Sequence, residues 1–311
     1  MGKNNPPICR FAHFAMGTTF EIVIAGKDET YGRQASQAVF QEIDRIENLF
    51  SHFNPCSEIG QINSLKPGQS LKVGVETFDC LKTAAQIHSQ THGAFDVNIG
   101  SLVKCRQELT PKSKKMSPGR IELLSFSSES TGGFIVRIQE GRQCEIASNG
   151  VDLDLGGIGK GYALDKTIDI LSDWSIDQAL IHGGTSTALA VGAPPDGHSD
   201  KNGWPVGIAG DWDCPRAPKE FLLKDRALSG SGTEVKGEHI FDPKTGNPAK
   251  GHIAVWVSHP SAAIADALST AFMVMGTEEV KAYCGSNPEV WVLVIVVSKS
   301  FKLFNNDIAI H

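Results

Sequence analysis

The chain has 311 residues, 41% of them hydrophobic and 21% charged, enough for a large core in one sizeable or two ordinary domains. A formal net charge of −6 excludes the basic excess of a nucleic-acid binder; the one dense basic cluster, Lys112, Lys114 and Lys115, lies in a Ser/Pro-rich stretch that reads as solvated loop. Seven scattered cysteines, odd in number and without a Cys-x-x-Cys pair, exclude a disulfide framework and a zinc site, and no apolar run reaches the roughly 18 residues of a membrane helix.

In chain order, MGKNNPPICRF lacks the apolar core of a signal peptide, so residues 1–10 read as a short tail. The expected compartment is the cytoplasm, or the periplasm or a membrane surface if an export segment has been trimmed. Thr18–Ala25 alternates as a strand, and Gln34–Phe50 has helical spacing with Ala38, Ile43, Ile46 and Phe50 apolar. Residues 60–74 carry Asn63, Pro67 and Gly68 and read as loop; Phe78–Gln90 is a second helix, closed by His92-Gly93. The polar stretch 104–120 reads as an exposed excursion. Phe134–Gln139 and Gln143–Ala147 flank Glu140-Gly141-Arg142 as a β-hairpin. A short strand Val151–Leu155, a glycine loop 156–161 and a helix Tyr162–Trp174 follow. Strands are expected at Ala179–His182, Thr187–Val191, Val206–Ala209 and Phe221–Leu228. The closing order is strand Ile253–Ser258, helices Ser261–Met275 and Glu278–Tyr283, and the β-branched strand Val290–Val297. Without strict βαβ alternation the class is α+β, and without a repeat or a clear linker the chain reads as one domain over 1–311.

Four blocks carry chemistry. In HIFDPKTG followed by ADALSTA, His239 abuts a turn, and Asp266 and Thr270 stand four apart, on one face of a helix. A carboxylate beside a hydroxyl offers Mg²⁺ the hard oxygens it prefers; the plainer alternative is two polar positions facing water on an alanine-rich helix. The ordinary pKa of histidine, about 6.5, suits His239 to take a proton from a hydroxyl. In DLGGIGKGYALD, glycines admit a ligand close to the backbone, a helix N-terminus follows, and Lys160 adds a charge for a phosphate. The block is neither a Walker A loop nor a strict GxGxxG, and it also reads as a tight strand–helix turn. Gly183-Gly184-Thr185 in ALIHGGT reads as a close backbone crossing, and Asp96 in GAFDVNIG as a turn cap.

Together, and in the chain order GAFDVNIGSLV, DLGGIGKGYALD, ALIHGGT and HIFDPKTG followed by ADALSTA, these blocks resemble the ApbE family of FAD:protein FMN transferases, over a stretch from Met16-Gly17-Thr18 to the last strand. The resemblance implies an α+β fold related to the T-fold, with mixed or antiparallel sheets, flanking helices and a flavin cleft between two lobes. It implies Mg²⁺-dependent cleavage of FAD, transfer of FMN to a Ser or Thr hydroxyl of an acceptor redox protein, and release of AMP. By position, Asp266, Thr270 and the carbonyl near Gly159 would hold Mg²⁺. Met16, Ala94, Phe95, Asp96, Gly156, Lys160 and the main chain around Phe241 would hold FAD, and His239 would be the base. Phe53 stands where the family commonly has a tyrosine stacked on the flavin, and keeps the π face. Asn98, Ser101 and Thr185 also depart from the usual pattern. A pyrophosphatase releasing free FMN and a flavin-binding protein without turnover are the rival readings.

Overall fold

The computed structural model describes residues 6–108, 134–139, 143–148, 151–195, 202–208, 210, 214, 217–233, 240–298 and 300–305, with the backbone alone at 105–108, 134–139 and 143–148. The elements run β1 (Ile8–Ala15), β2 (Thr18–Ala25), α1 (Glu29–Phe50), α2 (Glu58–Asn63), β3 (Ser70–Val73), α3 (Val75–Gln90), α4 (Gly100–Glu108), β4 (Phe134–Gln139) and β5 (Gln143–Ser148). Then come α5 (Gly159–Asp173), β6 (Ala179–Gly183), β7 (Thr187–Val191), β8 (Trp204–Gly207), β9 (Glu220–Leu223), β10 (Arg226–Gly232), β11 (His252–His259), α6 (Ala262–Val274), α7 (Thr277–Ser286), β12 (Trp291–Val296) and β13 (Ser300–Phe304).

The described chain packs as two compact units, one drawn from 1–48, 156–242 and 247–311, the other from 49–155 and 243–246. The sequence reads as one unit because both are discontinuous. The chain passes between them inside a helix, at Leu155–Gly156 and within a five-residue turn, and no linker composition marks such crossings.

In the first unit, eight strands pair antiparallel in the order β1-β2-β6-β7-β10-β11-β12-β13. Both faces are covered, which is why β12 is apolar throughout and its four central residues are buried. On one face Val23, Leu180, Leu228 and Leu293 pack with Trp204, Phe221 and Leu223 of the β8–β9 pair. Helix α6 is so rich in alanine that it can sink into the core: ten of its thirteen residues are buried. Ser261 caps it by accepting the Ile264 N–H at 3.3 Å.

The second unit holds α2, α3, α4 and a three-stranded sheet, β3-β5-β4. Its most informative departure from sequence expectation is residues 151–155, apolar enough for a strand yet in no ladder. Their N–H groups bond elsewhere: Asp152 to Asn98 Oδ1 (2.9 Å), Leu153 to Asn63 Oδ1 (2.6 Å) and Asp154 to the Val97 carbonyl (2.8 Å). Two side-chain amides take the place of a partner strand. Other corrections are smaller. The expected loop at 60–74 contains most of α2 and all of β3, and α4 occupies the start of the expected excursion, whose remainder from 109 lies outside the described residues. The strand foreseen at Phe221–Leu228 is two, β9 and β10, parted by Asp225 at φ +50°. β1 begins at Ile8, inside the foreseen tail.

Candidate functional site

Asp266 is where three elements of the first unit converge. It sits in the second turn of α6 and is only 4% exposed, so the reading of a water-facing residue fails. Its Oδ1 accepts the Ser229 hydroxyl of β10 at 3.1 Å. Its Oδ2 accepts the Gly161 N–H of α5 at 3.2 Å and lies 3.4 Å from the Lys160 ammonium. A buried carboxylate needs such donors, because an unpaired charge removed from water is prohibitively costly. Ser229 in turn lies 3.1 Å from the Thr187 hydroxyl, extending the polar line into β7.

The N-cap residue of α5, Ile158, offers no side-chain cap, and in the first turn the Gly161 N–H is taken by Asp266; the end carries the positive end of the helix dipole. Lys160 folds back over this end, donating to the Gly156 carbonyl at 3.2 Å, with its side chain 18% exposed. The arrangement suits an anion such as a phosphate. Gly159 and Gly161 belong to the helix, not to a loop before it. Gly161 is required by a close approach: a Cβ there would stand 2.1 Å from the Ala262 carbonyl oxygen.

The donor set here fits a magnesium ion. Thr270 follows Asp266 by one turn, its hydroxyl donating to the Asp266 carbonyl at 3.3 Å and lying 3.5 Å from Ser231 Oγ. Carboxylate, hydroxyl and main-chain carbonyl are hard oxygens of the kind Mg²⁺ takes, and the Lys160 ammonium 3.4 Å from Oδ2 would share that oxygen with the ion. Among the described residues no three His, Cys, Asp or Glu side chains gather as a metal cluster, so a cation here would rest on this mixed oxygen set.

In the second unit, Ala94 and Phe95 are buried and Asp96 is partly so. Asp96 accepts the Asn98 N–H at 2.8 Å, the turn-capping bond its position suggests, and lies 3.6 Å from His88 Nδ1. Burial pushes its carboxyl above the ordinary range, against the opposing pull of that N–H and of His88. Phe53 is 87% exposed, its ring tilted 42° on His52. It borders a cavity of about 450 Å³ with Asn63, Ser101, Lys104 and Asp152. Two of the departures from the family pattern act together here: Asn98 receives the Asp152 N–H, and Ser101 donates to the Asp152 carboxylate at 3.0 Å.

Met16 is half-buried at the tip of the β1–β2 hairpin, with φ +50°, and Gly17 follows at +69°. Gly184 is the close crossing its sequence suggests, since a Cβ would meet Thr18 Oγ1 at 2.4 Å, and Thr185 is exposed. Phe241 pairs with Pro248, and the Asp242 N–H bonds the Asn247 carbonyl at 2.8 Å, closing the DPKTG turn. The expected base, His239, lies outside the described residues. Sequence reasoning missed Ser229, which lies one residue beyond the expected strand Phe221–Leu228, in the Ser-Gly-Ser-Gly run that closes β10.

Residues 16–294 match the model of the ApbE family. A Vibrio cholerae FAD:protein FMN transferase is 26% identical over 312 aligned residues, spanning 92% of this chain and 87% of that protein. One from Chlamydia muridarum is 27% identical over 260 residues, 79% of this chain and 78% of that protein. Among solved structures, the ApbE protein of Thermotoga maritima superposes with a TM-score of 0.78 at 27% identity, over 96% of this chain and 97% of that one. The apo flavinyl transferase ApbE of Pseudomonas stutzeri gives 0.76 at 22%, a likeness of fold, over 97% and 96%. The matched span runs from the Met16 turn into β12 and takes in both units: the chain belongs to the ApbE family.

Proposed function

We propose that the protein is a Mg²⁺-dependent FAD:protein FMN transferase. It cleaves the pyrophosphate of FAD, joins FMN through a phosphoester to a Ser or Thr hydroxyl of an acceptor redox protein, and releases AMP. The observation that carries this reading is the convergence on buried Asp266 of the N-terminus of α5, the Lys160 ammonium and a hydroxyl-bearing strand. One place offers donors for a phosphate and oxygens for a cation, the two needs of phosphoryl transfer. The names of the relatives support the substrate assignment.

In this reading the N-terminus of α5 and Lys160 hold the pyrophosphate, while Met16, Phe53, Ala94–Asp96, Gly156 and the main chain at Phe241 hold the rest of FAD. Asp266, Thr270 and the Gly159 carbonyl would hold Mg²⁺, which when bound offsets charge on the pyrophosphate. His239 takes the proton of the acceptor hydroxyl. The freed oxygen bonds to the FMN phosphorus, and the bond to the AMP oxygen breaks with its electron pair on AMP.

Incubation with FAD, Mg²⁺ and an acceptor domain tests this by mass spectrometry. The acceptor should gain one FMN and AMP should appear in equal amount; free FMN with an unmodified acceptor would establish hydrolysis instead, and intact FAD would leave only binding. Asp266→Ala should abolish turnover at every Mg²⁺ concentration, and activity surviving at low Mg²⁺ would refute the metal assignment. His239→Ala should slow transfer by about 10²- to 10⁴-fold while FAD binding holds.

A further inference from the structure

Helices α5 and α6 grip each other through two carboxylates, and only one of them belongs to the site above. Asp266 of α6 receives the N–H of Gly161, in the first turn of α5. Asp165 of α5 returns the contact. Its Oδ1 accepts the Ala262 N–H at 2.6 Å, and its Oδ2 accepts the Ala263 N–H at 3.0 Å and the Ser261 hydroxyl at 2.6 Å. Ser261, Ala262 and Ala263 are the cap and first two residues of α6. Gly161 and Asp165 are one turn apart on α5, as are Ala262 and Asp266 on α6. Two helical turns and two carboxylate contacts therefore close a ring, drawn tight where Gly161 meets the Ala262 carbonyl.

We propose that Asp165 is a positioning residue for the cation site: it fixes the register of α6 on α5, and so where the Asp266 carboxylate stands relative to Gly159 and Lys160. Ser261 already caps α6 through Ile264, so the helix does not depend on Asp165 for its beginning. What Asp165 adds is attachment to a different helix. Short, charge-assisted bonds to three donors define that attachment closely, because sliding α6 by one residue would break all three. The proposal rests on the reading of Asp266 as a cation ligand, and its test separates the two.

The test is calorimetric titration of the full-length protein with Mn²⁺, at a temperature where circular dichroism shows each variant folded. Outer partners of metal ligands typically control affinity by about 10- to 100-fold. Asp165→Ala should weaken Mn²⁺ by that order, Asp165→Asn, which keeps one acceptor oxygen, by less, and turnover of both should climb toward the parent rate as Mg²⁺ is raised. A folded Asp165→Ala protein that binds Mn²⁺ as tightly as the parent overturns the proposal and leaves Asp165 a stabilising cap. Should Asp165→Ala fail to fold, Ser261→Ala removes one of the three donors; an unchanged Mn²⁺ affinity in that variant overturns the proposal equally. A parent protein whose Mn²⁺ binding is indifferent to Asp266→Ala instead sinks the cation reading, and this inference with it.

Discussion

Met16 holds a backbone angle that methionine avoids. At φ +50°, followed by Gly17 at +69°, it satisfies the two positive angles that a two-residue hairpin with the correct twist demands, a position that asparagine or glycine fills without strain. The left-handed conformation costs an L-residue about 1–2 kcal/mol, against about 0.4–1 kcal/mol of extra chain entropy if glycine replaced it. Met16→Gly should therefore raise the melting temperature. Under the proposed function it should also weaken FAD binding, as measured by fluorescence titration, because the strain is kept for the side chain that the turn presents. A variant that is stabler and binds FAD equally well would remove Met16 from the flavin site.

At the scale of elements, α6 is held at both ends. Its start is tied to α5. At its other end the Phe272 carbonyl lies 2.7 Å from His252 Nδ1, while His252 Nε2 lies 3.0 Å from the Thr277 hydroxyl at the start of α7. His252 is 4% exposed, and burial lowers its pKa from 6.5, with the Phe272 carbonyl opposing; His182 and His259 are lowered by burial too. A histidine with a depressed folded pKa is neutral in the native state and takes up its proton more readily when unfolded. Stability is thus full above about pH 6.5 and falls as the pH drops through the folded pKa. Melting curves from pH 8 to 5 should show this fall, and His252→Gln should make it shallower; an unaltered slope would place the effect on other groups. The helices and strands of this neighbourhood were legible because their apolar runs are long: β11, α6 and β12 all stand within two residues of their expected limits. Residues 151–155 were misread because Val151, Leu153 and Leu155 are buried with the alternation of a strand, and only tertiary structure reveals that Asn63 and Asn98 replace the ladder.

Across the whole molecule, the blocks that carry the family resemblance could be named from sequence, but not what each glycine or carboxylate does. Gly161 reads in sequence as part of a phosphate loop and is a helix contact; Asp165 closes the same motif, and its partners lie some hundred residues away. Asp266 is fully bonded by protein donors, which has a consequence for the fold. Chelation with EDTA should stop turnover yet leave one cooperative thermal transition, lowered only by the lost binding energy; collapse of near-ultraviolet dichroism on chelation would mean that the cation holds the structure together. The sheet order carries a further consequence, for synthesis on the ribosome. Strand β2 pairs with β6, joining Phe20 to Gly183, with the whole 49–155 segment made in between. The N-terminal hairpin, complete at Ala25, must wait for the 158 residues (183 − 25) that bring the chain to Gly183, about 8–30 s at ordinary elongation rates. Throughout that time the β2 edge, with Ile22 and Ile24 destined for complete burial, is an open template for any neighbouring nascent chain. Slowed translation through 49–155 would lengthen that exposure, and the aggregates formed should be seeded by the first twenty-five residues.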